Sequence, residues 1–258
     1  MKKLIITADD FGLSESINDG IIDCYNNKDI TDISIMAFSE KFEHAVRLAQ
    51  KNNITNIGAH ISLCSKNDFH KQIDRFPWKF IFDREEVEKT IRIQLTRIKN
   101  ENFNITHLNS HQHVHMIPWL RESFAKIAEE FNVSYLRVPN EYFVPSLYSI
   151  KTWPRVLALG SITALSNVLF SGSKVKTNDY FFGHCCSGNM TEHCLKTFCT
   201  IIKNGVTELA CHPGYLSGDV KNNFPWHINC ENELKALRSS TFKEALKENN
   251  ISLTSYCK

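Results

Sequence analysis

The sequence predicts an α/β protein built on a parallel sheet or barrel, and two observations support that prediction. Short apolar segments rich in Ile, Val and Phe alternate along the chain with longer stretches of helical periodicity. Such repeats place consecutive strands parallel in one sheet with helices packed outside it. The 258 residues suffice for one large core, since α/β barrels commonly reach this length as a single domain. We therefore expect one domain that spans residues 1–258.

Eight strands and six helices follow from these periodicities. The strands are expected near residues 4–8, 33–38, 56–63, 105–111, 134–138, 179–183, 207–211 and 252–256. The helices are expected near residues 15–26, 40–51, 84–101, 119–131, 191–203 and 231–248. Two connections, 64–82 and 140–178, interrupt the alternation. The apolar stretch 156–170 within the second is interpreted as a helical lid or an oligomer surface.

Composition excludes several classes of function. Thirty basic and 28 acidic residues leave a net charge of +2, which predicts neither a nucleic-acid partner nor binding to an anionic membrane. The first apolar stretch, 4–6, is too short for a secretory signal, and no apolar run approaches membrane-spanning length. Nine cysteines without CxxC spacing are typical of reduced thiols, so a cytoplasmic protein is expected.

Side chains that bind metals gather near the ends of two predicted strands. Asp9 and Asp10 directly follow the first strand. His111, His113 and His115 alternate at the end of the fourth, and side chains two apart on an extended backbone share one face. Imidazoles beside carboxylates predict a metal site, so a hydrolytic metal centre is the first hypothesis.

Other candidate residues also lie late in, or just after, predicted strands. His60 lies late in the third strand, Arg137 late in the fifth, and His212 follows the seventh. In a parallel barrel these ends converge on one face, where barrel enzymes have their active sites. Five histidines without such a context are expected at the surface or in packing, namely His44, His70, His184, His193 and His227.

Five segments, in order along the chain, carry a family resemblance. They read TADDFGLS at 7–14, GAHISL at 58–63, THLNSHQHVHMIP at 106–118, LRVPNE at 136–141 and LACHPGY at 209–215. Together they resemble the YdjC-like family, the ChbG-type carbohydrate deacetylases. The resemblance implies a single-domain modified (β/α) barrel similar to polysaccharide deacetylases, with the active site at the carboxyl-terminal ends of the strands. It also implies hydrolysis of the N-acetyl group of an amino sugar or a short N-acetylglucosamine oligosaccharide.

The resemblance further implies roles for single residues. Asp10, His60 and His111 would bind one divalent metal ion, Asp9 would be the general base, and His212 would be the acid or the oxyanion partner. Two imidazoles and one carboxylate suit Zn²⁺ or another first-row metal, whereas the family is often described with Mg²⁺. The identity of the ion, Mg²⁺ or Zn²⁺, therefore stays open.

Four further residues are expected to bind substrate or to support the ligands. Asn109 stands where the family pattern is expected to have Asp, and an amide accepts a hydrogen bond but brings no charge to the histidine it orients. Arg137 is expected to orient Asp9 or bind substrate, with an ordinary buried ion pair as the alternative. His113 and His115 are expected to line the cleft or to lie behind the ligands.

Two other functions stay open at this level. A glycoside hydrolase would pair Asp9 or Asp10 with Glu141, would usually need no metal, and would cleave the sugar chain. A non-catalytic, metal-dependent sugar-binding protein would use the barrel only as a receptor. In each case the expected partner is a small carbohydrate, and a homodimer is possible.

Overall fold

The computed structural model describes residues 1–64, 66–69, 73, 75–141, 144, 152–170 and 173–257. Within these ranges the chain forms eight strands, namely β1 (Lys2–Phe11), β2 (Asp32–Ile35), β3 (Asn56–Ile61), β4 (Asn104–Ser110), β5 (Tyr135–Leu136), β6 (Tyr180–Phe182), β7 (Gly205–Cys211) and β8 (Ile251–Leu253). Each overlaps a predicted strand. All pairings are parallel, in the order β5-β4-β3-β2-β1-β7-β6, and β8 pairs with the first residues of β1. The carboxyl ends of these strands therefore meet at one edge.

The helices differ from the prediction mainly in number. They are α1 (Glu15–Asn26), α2 (Phe42–Lys51), α3 (Trp78–Ile81), α4 (Arg84–Asn100), α5 (Pro118–Glu130), α6 (Trp153–Leu169), α7 (Glu192–Ile201), α8 (Gly218–Asn223), α9 (Cys230–Arg238) and α10 (Ser240–Glu248). The single helix predicted at 231–248 is two helices, because extended Ser239 ends α9 and its side chain caps α10 by accepting from the Phe242 N–H at 3.2 Å. Helices α3 and α8 were not predicted.

The sheet curves into a half-barrel with helices around it, as the sequence predicts. A bridge between Glu141 and Phe181 brings the segment after β5 against β6. Strand β1 is buried from Leu4 to Phe11, because it lies in the middle of the sheet with both faces covered. Most buried apolar side chains belong to one large cluster that includes residues of both the strands and the helices.

Helix α6 occupies the apolar stretch 156–170. Val156 and Leu159 pack inward, whereas Leu157, Leu165 and Val168 are exposed. The expectation of a helix is thus met, and its role as a lid or an oligomer surface stays a prediction. Among the described helices, none combines the length and apolar character needed to cross a bilayer.

Asp32 is a buried carboxyl group at the start of β2. It accepts hydrogen bonds from the Thr31 hydroxyl at 2.8 Å and the Tyr256 N–H at 3.2 Å. Burial raises its pKa to about 7. The folded chain therefore holds a proton there that the unfolded chain releases near pH 4, so stability is lost as the pH rises from about 4 to about 7.

We expect Asp32→Asn to remove this loss, because an amide can accept from Tyr256 and donate to Thr31 without a charge. The variant should exceed the wild type in unfolding free energy at pH 8 by on the order of 1–4 kcal/mol, and by little at pH 4. Urea unfolding at both pH values measures the difference. An equal difference at the two pH values would contradict the ionisation of Asp32.

Candidate active site

A cleft of about 500 Å³ opens at the carboxyl-terminal edge of the sheet. This volume is within the range of small-molecule sites. Six predicted residues line it, namely Asp9, Asp10, His60, His111, His113 and His212. Four further residues line the cleft from segments outside the predicted strands and helices, namely Phe76, Arg155, His184 and Trp226. The cleft is therefore polar at its base and partly aromatic at its sides.

Asp9 and Asp10 both reach the cleft because β1 is irregular at this point. Neighbouring side chains on a regular strand point to opposite faces. Here Asp10 has a φ of 64°, and the register with β2 shifts between Ala8 and Phe11. This bulge turns the second carboxylate toward the same site as the first. Both side chains are buried.

Asp9 is held by the fully buried Arg137 through two hydrogen bonds. Arg137 Nη1 donates to Asp9 Oδ2 at 2.6 Å and Nη2 to Oδ1 at 3.0 Å. The guanidinium also donates to Glu208 Oε1 at 2.7 and 3.0 Å. Burial raises the pKa of Asp9, but Arg137 and the nearby His60 outweigh burial and hold that pKa well below its usual range. Arg137 therefore orients Asp9 and keeps it ionised.

Asn109 links Asp9 to His60 through hydrogen bonds and so orients the imidazole. Ionised Asp9 can only accept, so the amide nitrogen of Asn109 faces Asp9 Oδ1, at 3.2 Å. The amide oxygen then faces His60 Nδ1 at 2.6 Å and requires a proton on it. The lone pair of neutral His60 is thereby placed on Nε2. An aspartate at position 109 would set a second carboxylate against Asp9, so the asparagine fits this geometry.

Asp10, His60 and His111 form a cluster suited to a cation. One ligand atom of each lies within 4.8 Å of the others. Asp10 Oδ1 is buried without a hydrogen-bond partner and lies 3.1 Å from His60 Nε2 and 3.5 Å from His111 Nδ1. An ionised oxygen that faces imidazole lone pairs needs a proton or a metal ion between them. The three predicted ligands therefore fit a divalent ion.

Without an ion, a proton can lie between Asp10 and the histidines of the cluster. Burial lowers the pKa of His60, but the combined effect of Asp9 and Asp10 is larger and opposite. The net pKa therefore lies above its usual value. Burial likewise raises the pKa of Asp10, and its contacts with His111, His227 and His60 bring the pKa well below the usual range. Metal binding here should therefore displace a proton from His60.

The expectation that His111, His113 and His115 alternate on an extended backbone is wrong. Strand β4 ends at Ser110, and residues His111–Met116 form a 3₁₀ turn with positive φ at Gln112 and His113. His111 and His113 still face the cleft. His115 lies buried behind it, between the Ser110 hydroxyl at 2.6 Å and the Arg137 carbonyl at 3.0 Å.

His212 directly follows β7 and lines the cleft. Its backbone N–H donates to buried Glu233 Oε2 at 2.8 Å, and its Nδ1 lies 3.9 Å from the same oxygen. Burial lowers the pKa of His212, and Glu233 offsets part of that effect. The turn after it packs closely on α1, since a Cβ at Gly20 would lie 2.5 Å from the Gly214 Cα. His212 is therefore neutral and firmly placed.

Two histidines expected only at the surface or in packing reach the site. His227 Nε2 lies 2.8 Å from Asp10 Oδ2, and His184 lines the cleft with a pKa that burial lowers to about 4. His70, grouped with them, lies outside the described residues. No periodic pattern surrounds His227, and it is 217 positions from Asp10, so a single sequence gives no signal for this contact.

Comparison with known proteins identifies the family. Residues 3–248 match the family model of YdjC-like proteins. The chain belongs to the YdjC-like protein family. This YdjC-like protein is 27% identical to a carbohydrate deacetylase of Brevibacillus brevis, with 98% of each chain covered. It is 28% identical to a carbohydrate deacetylase of Xenopus laevis, with 98% of this chain and 97% of that one covered.

Solved structures confirm the predicted fold of the YdjC-like protein. A protein of Enterococcus faecalis, provisionally named for cellobiose-phosphate cleavage, superposes with a TM-score of 0.76 at 22% identity, covering 99% of this chain and 97% of that one. A mutant CE4-family pseudoenzyme with restored activity gives a TM-score of 0.51 at 12% identity, covering 98% of this chain and 65% of that one. At these identities the likeness concerns the fold alone.

Proposed function

We propose that this YdjC-like protein is a metal-dependent deacetylase that hydrolyses the N-acetyl group of an amino sugar or a short N-acetylglucosamine oligosaccharide. The supporting observation is the Asp10–His60–His111 cluster, which shares one cleft with Asp9 and His212. Relatives named carbohydrate deacetylase, aligned over nearly the whole chain, support the substrate class.

Asp10, His60 and His111 would hold the divalent ion. A divalent ion with open coordination positions acidifies bound water and polarises an amide carbonyl. The donor set of one carboxylate and two imidazoles favours Zn²⁺ or another first-row ion, and Mg²⁺ is the alternative.

Asp9 would accept the proton of the attacking water. Arg137, Asn109 and Ser34 all donate to its oxygens and fix their orientation. Its lowered pKa keeps it ionised at neutral pH but makes it a weak base. Its contribution would therefore come chiefly from position. The neutral imidazole of His212 would donate a hydrogen bond to the scissile amide, and the proton that Asp9 accepts from water would pass to the departing amine.

The cleft wall suits a small carbohydrate. Phe76 and Trp226 offer apolar surface against which a sugar ring can pack. Burial, together with His184 and Arg137, lowers the pKa of His113 well below its usual value, so a neutral imidazole faces the cleft. We assign His113 to substrate hydroxyl groups, and Asn109, Arg137 and His115 to support of the reacting groups.

Glu141 is poorly placed for the glycoside hydrolase alternative. Its carboxylate accepts from the Gly183 N–H at 2.9 Å and from the Cys185 N–H at 3.1 Å. It is not among the described residues that line the cleft. Although burial raises its pKa to about 7, a general acid must reach the glycosidic oxygen. These contacts favour a role in the 183–185 turn.

We expect chelator-stripped protein to release acetate from N,N′-diacetylchitobiose only after a divalent ion is restored. Assays with Mg²⁺, Zn²⁺, Co²⁺ or Ni²⁺ measure acetate and free monosaccharide in the same samples. An Asp10→Ala variant is the control, and it should release no acetate with any ion. Monosaccharide without acetate would favour a glycosidase. Metal-dependent sugar binding without either product would favour a receptor.

A further inference from the structure

His227 is a buried histidine in direct contact with a metal-ligand candidate. It ends the short 3₁₀ turn Pro225–His227, and its side chain is almost fully buried. Its Nε2 lies 2.8 Å from Asp10 Oδ2, while its Nδ1 has no hydrogen-bond partner. Because an ionised carboxylate can only accept, Nε2 carries the proton in this contact.

This contact makes the two oxygens of Asp10 unequal. His227 occupies Oδ2, whereas Oδ1 has no hydrogen-bond partner and faces His60 Nε2 and His111 Nδ1. A hydrogen bond to one oxygen fixes rotation of the carboxylate about its Cβ–Cγ bond. The other oxygen is then presented to an ion in one orientation. Partners behind a ligand typically contribute 10–100-fold to metal affinity.

We propose that His227 is a positioning residue that holds Asp10 ready for a divalent ion, an inference that rests on the proposed metal-dependent function. His227 is not itself a ligand, because its protonated nitrogen faces Asp10. It also lies outside the cluster whose ligand atoms are within 4.8 Å of one another.

The turn that carries His227 also forms part of the cleft wall. Trp226, the preceding residue, lines the cleft, and its ring centroid lies 6.3 Å from that of His111. Residues 225–227 thus contact both the cleft and the base of the ion site. Because His227 itself points to Asp10 and does not line the cleft, its loss should change metal affinity before it changes substrate binding.

Metal titration of apo-protein tests this role without any need for turnover. Calorimetry with Zn²⁺ and with Co²⁺ should give a Kd about 10–100-fold weaker for His227→Leu than for the wild type. His227→Asn, which keeps a polar group but places its N–H short of Asp10, should weaken binding similarly. His227→Gln, whose amide nitrogen extends about as far as Nε2, should restore most of the affinity.

The controls separate this inference from the proposed function. Ile228→Ala changes an exposed side chain beside the same turn and should bind both ions as the wild type does. Circular dichroism checks that each variant is folded. Equal affinity in the wild type, in His227→Leu and in His227→Asn would overturn the inference alone. A wild type that binds neither Zn²⁺ nor Co²⁺, and whose acetate release does not depend on Mg²⁺ either, would overturn the proposed function, and the inference with it.

Discussion

Asp9→Asn should abolish most turnover while leaving the divalent ion in place. The amide keeps the shape of the side chain but cannot accept a proton from water, and general-base assistance is typically worth about 10²–10⁴-fold in rate. The ligands Asp10, His60 and His111 are untouched. We expect kcat for acetate release to fall by that factor, with metal content by elemental analysis equal to that of the wild type.

Asp10→Asn is the control that separates loss of the general base from loss of the ion. That neighbouring variant should lose both the ion and the activity, because Asp10 Oδ1 faces both histidine ligands. Turnover by Asp9→Asn at the wild-type rate would exclude Asp9 as the base. Loss of the ion in Asp9→Asn would show instead that Asp9 acts through Asn109 and His60, which are linked by hydrogen bonds at 3.2 and 2.6 Å.

Arg137→Met should cost about 3–5 kcal/mol of unfolding free energy at neutral pH. The side chain is fully buried between Asp9 and Glu208, and its removal leaves both carboxylates without their cation. In the wild type the lowered pKa of Asp9 stabilises the fold above about pH 4, and that stabilisation is lost as the pH falls. In the variant, burial without Arg137 favours protonation of Asp9, so the cost should grow from pH 5 to pH 8.

A matched surface arginine controls for the loss of a charged side chain. Arg92 also pairs with two carboxylates, Glu88 and Glu130, but about a third of its side chain is exposed. Arg92→Met should cost about 0–1 kcal/mol with little dependence on pH. Urea unfolding of both variants at pH 5 and pH 8 makes the comparison. Equal costs for the two arginines would contradict a special role for the buried network.

The fold was largely accessible from the sequence because burial imposes a simple pattern on this sheet. Strand β1 is covered on both faces, so Leu4-Ile5-Ile6 reads as one apolar run. The strand ends follow from the same pattern, and the sequence therefore predicts that Asp10, His60 and His111 lie at one edge. The split at Ser239 was missed because helical periodicity continues on both sides of the cap.

What the sequence could not provide are contacts set by irregular backbone. The bulge at Asp10 and the positive φ angles at Gln112 and His113 occur at residues other than glycine, so composition gives no warning of them. The alternation of histidines therefore predicted an extended segment where the chain turns. His227 reaches Asp10 through tertiary packing alone, across 217 positions. Local periodicity carries no information about such a pair.

The pairing of β1 with β7 has a consequence for how the chain acquires its site. These strands align Lys2 with Gly205 and continue to Ala8 and Cys211, a separation of about 200 residues. At common rates of translation, about 5–20 residues per second, the two carboxylates leave the ribosome roughly 10–40 s before β7. Contacts between residues so distant in sequence also form slowly. The nascent chain thus exposes Asp9 and Asp10 long before His212 and His227 are synthesised, and Asp10 lacks its contact with His227 until then.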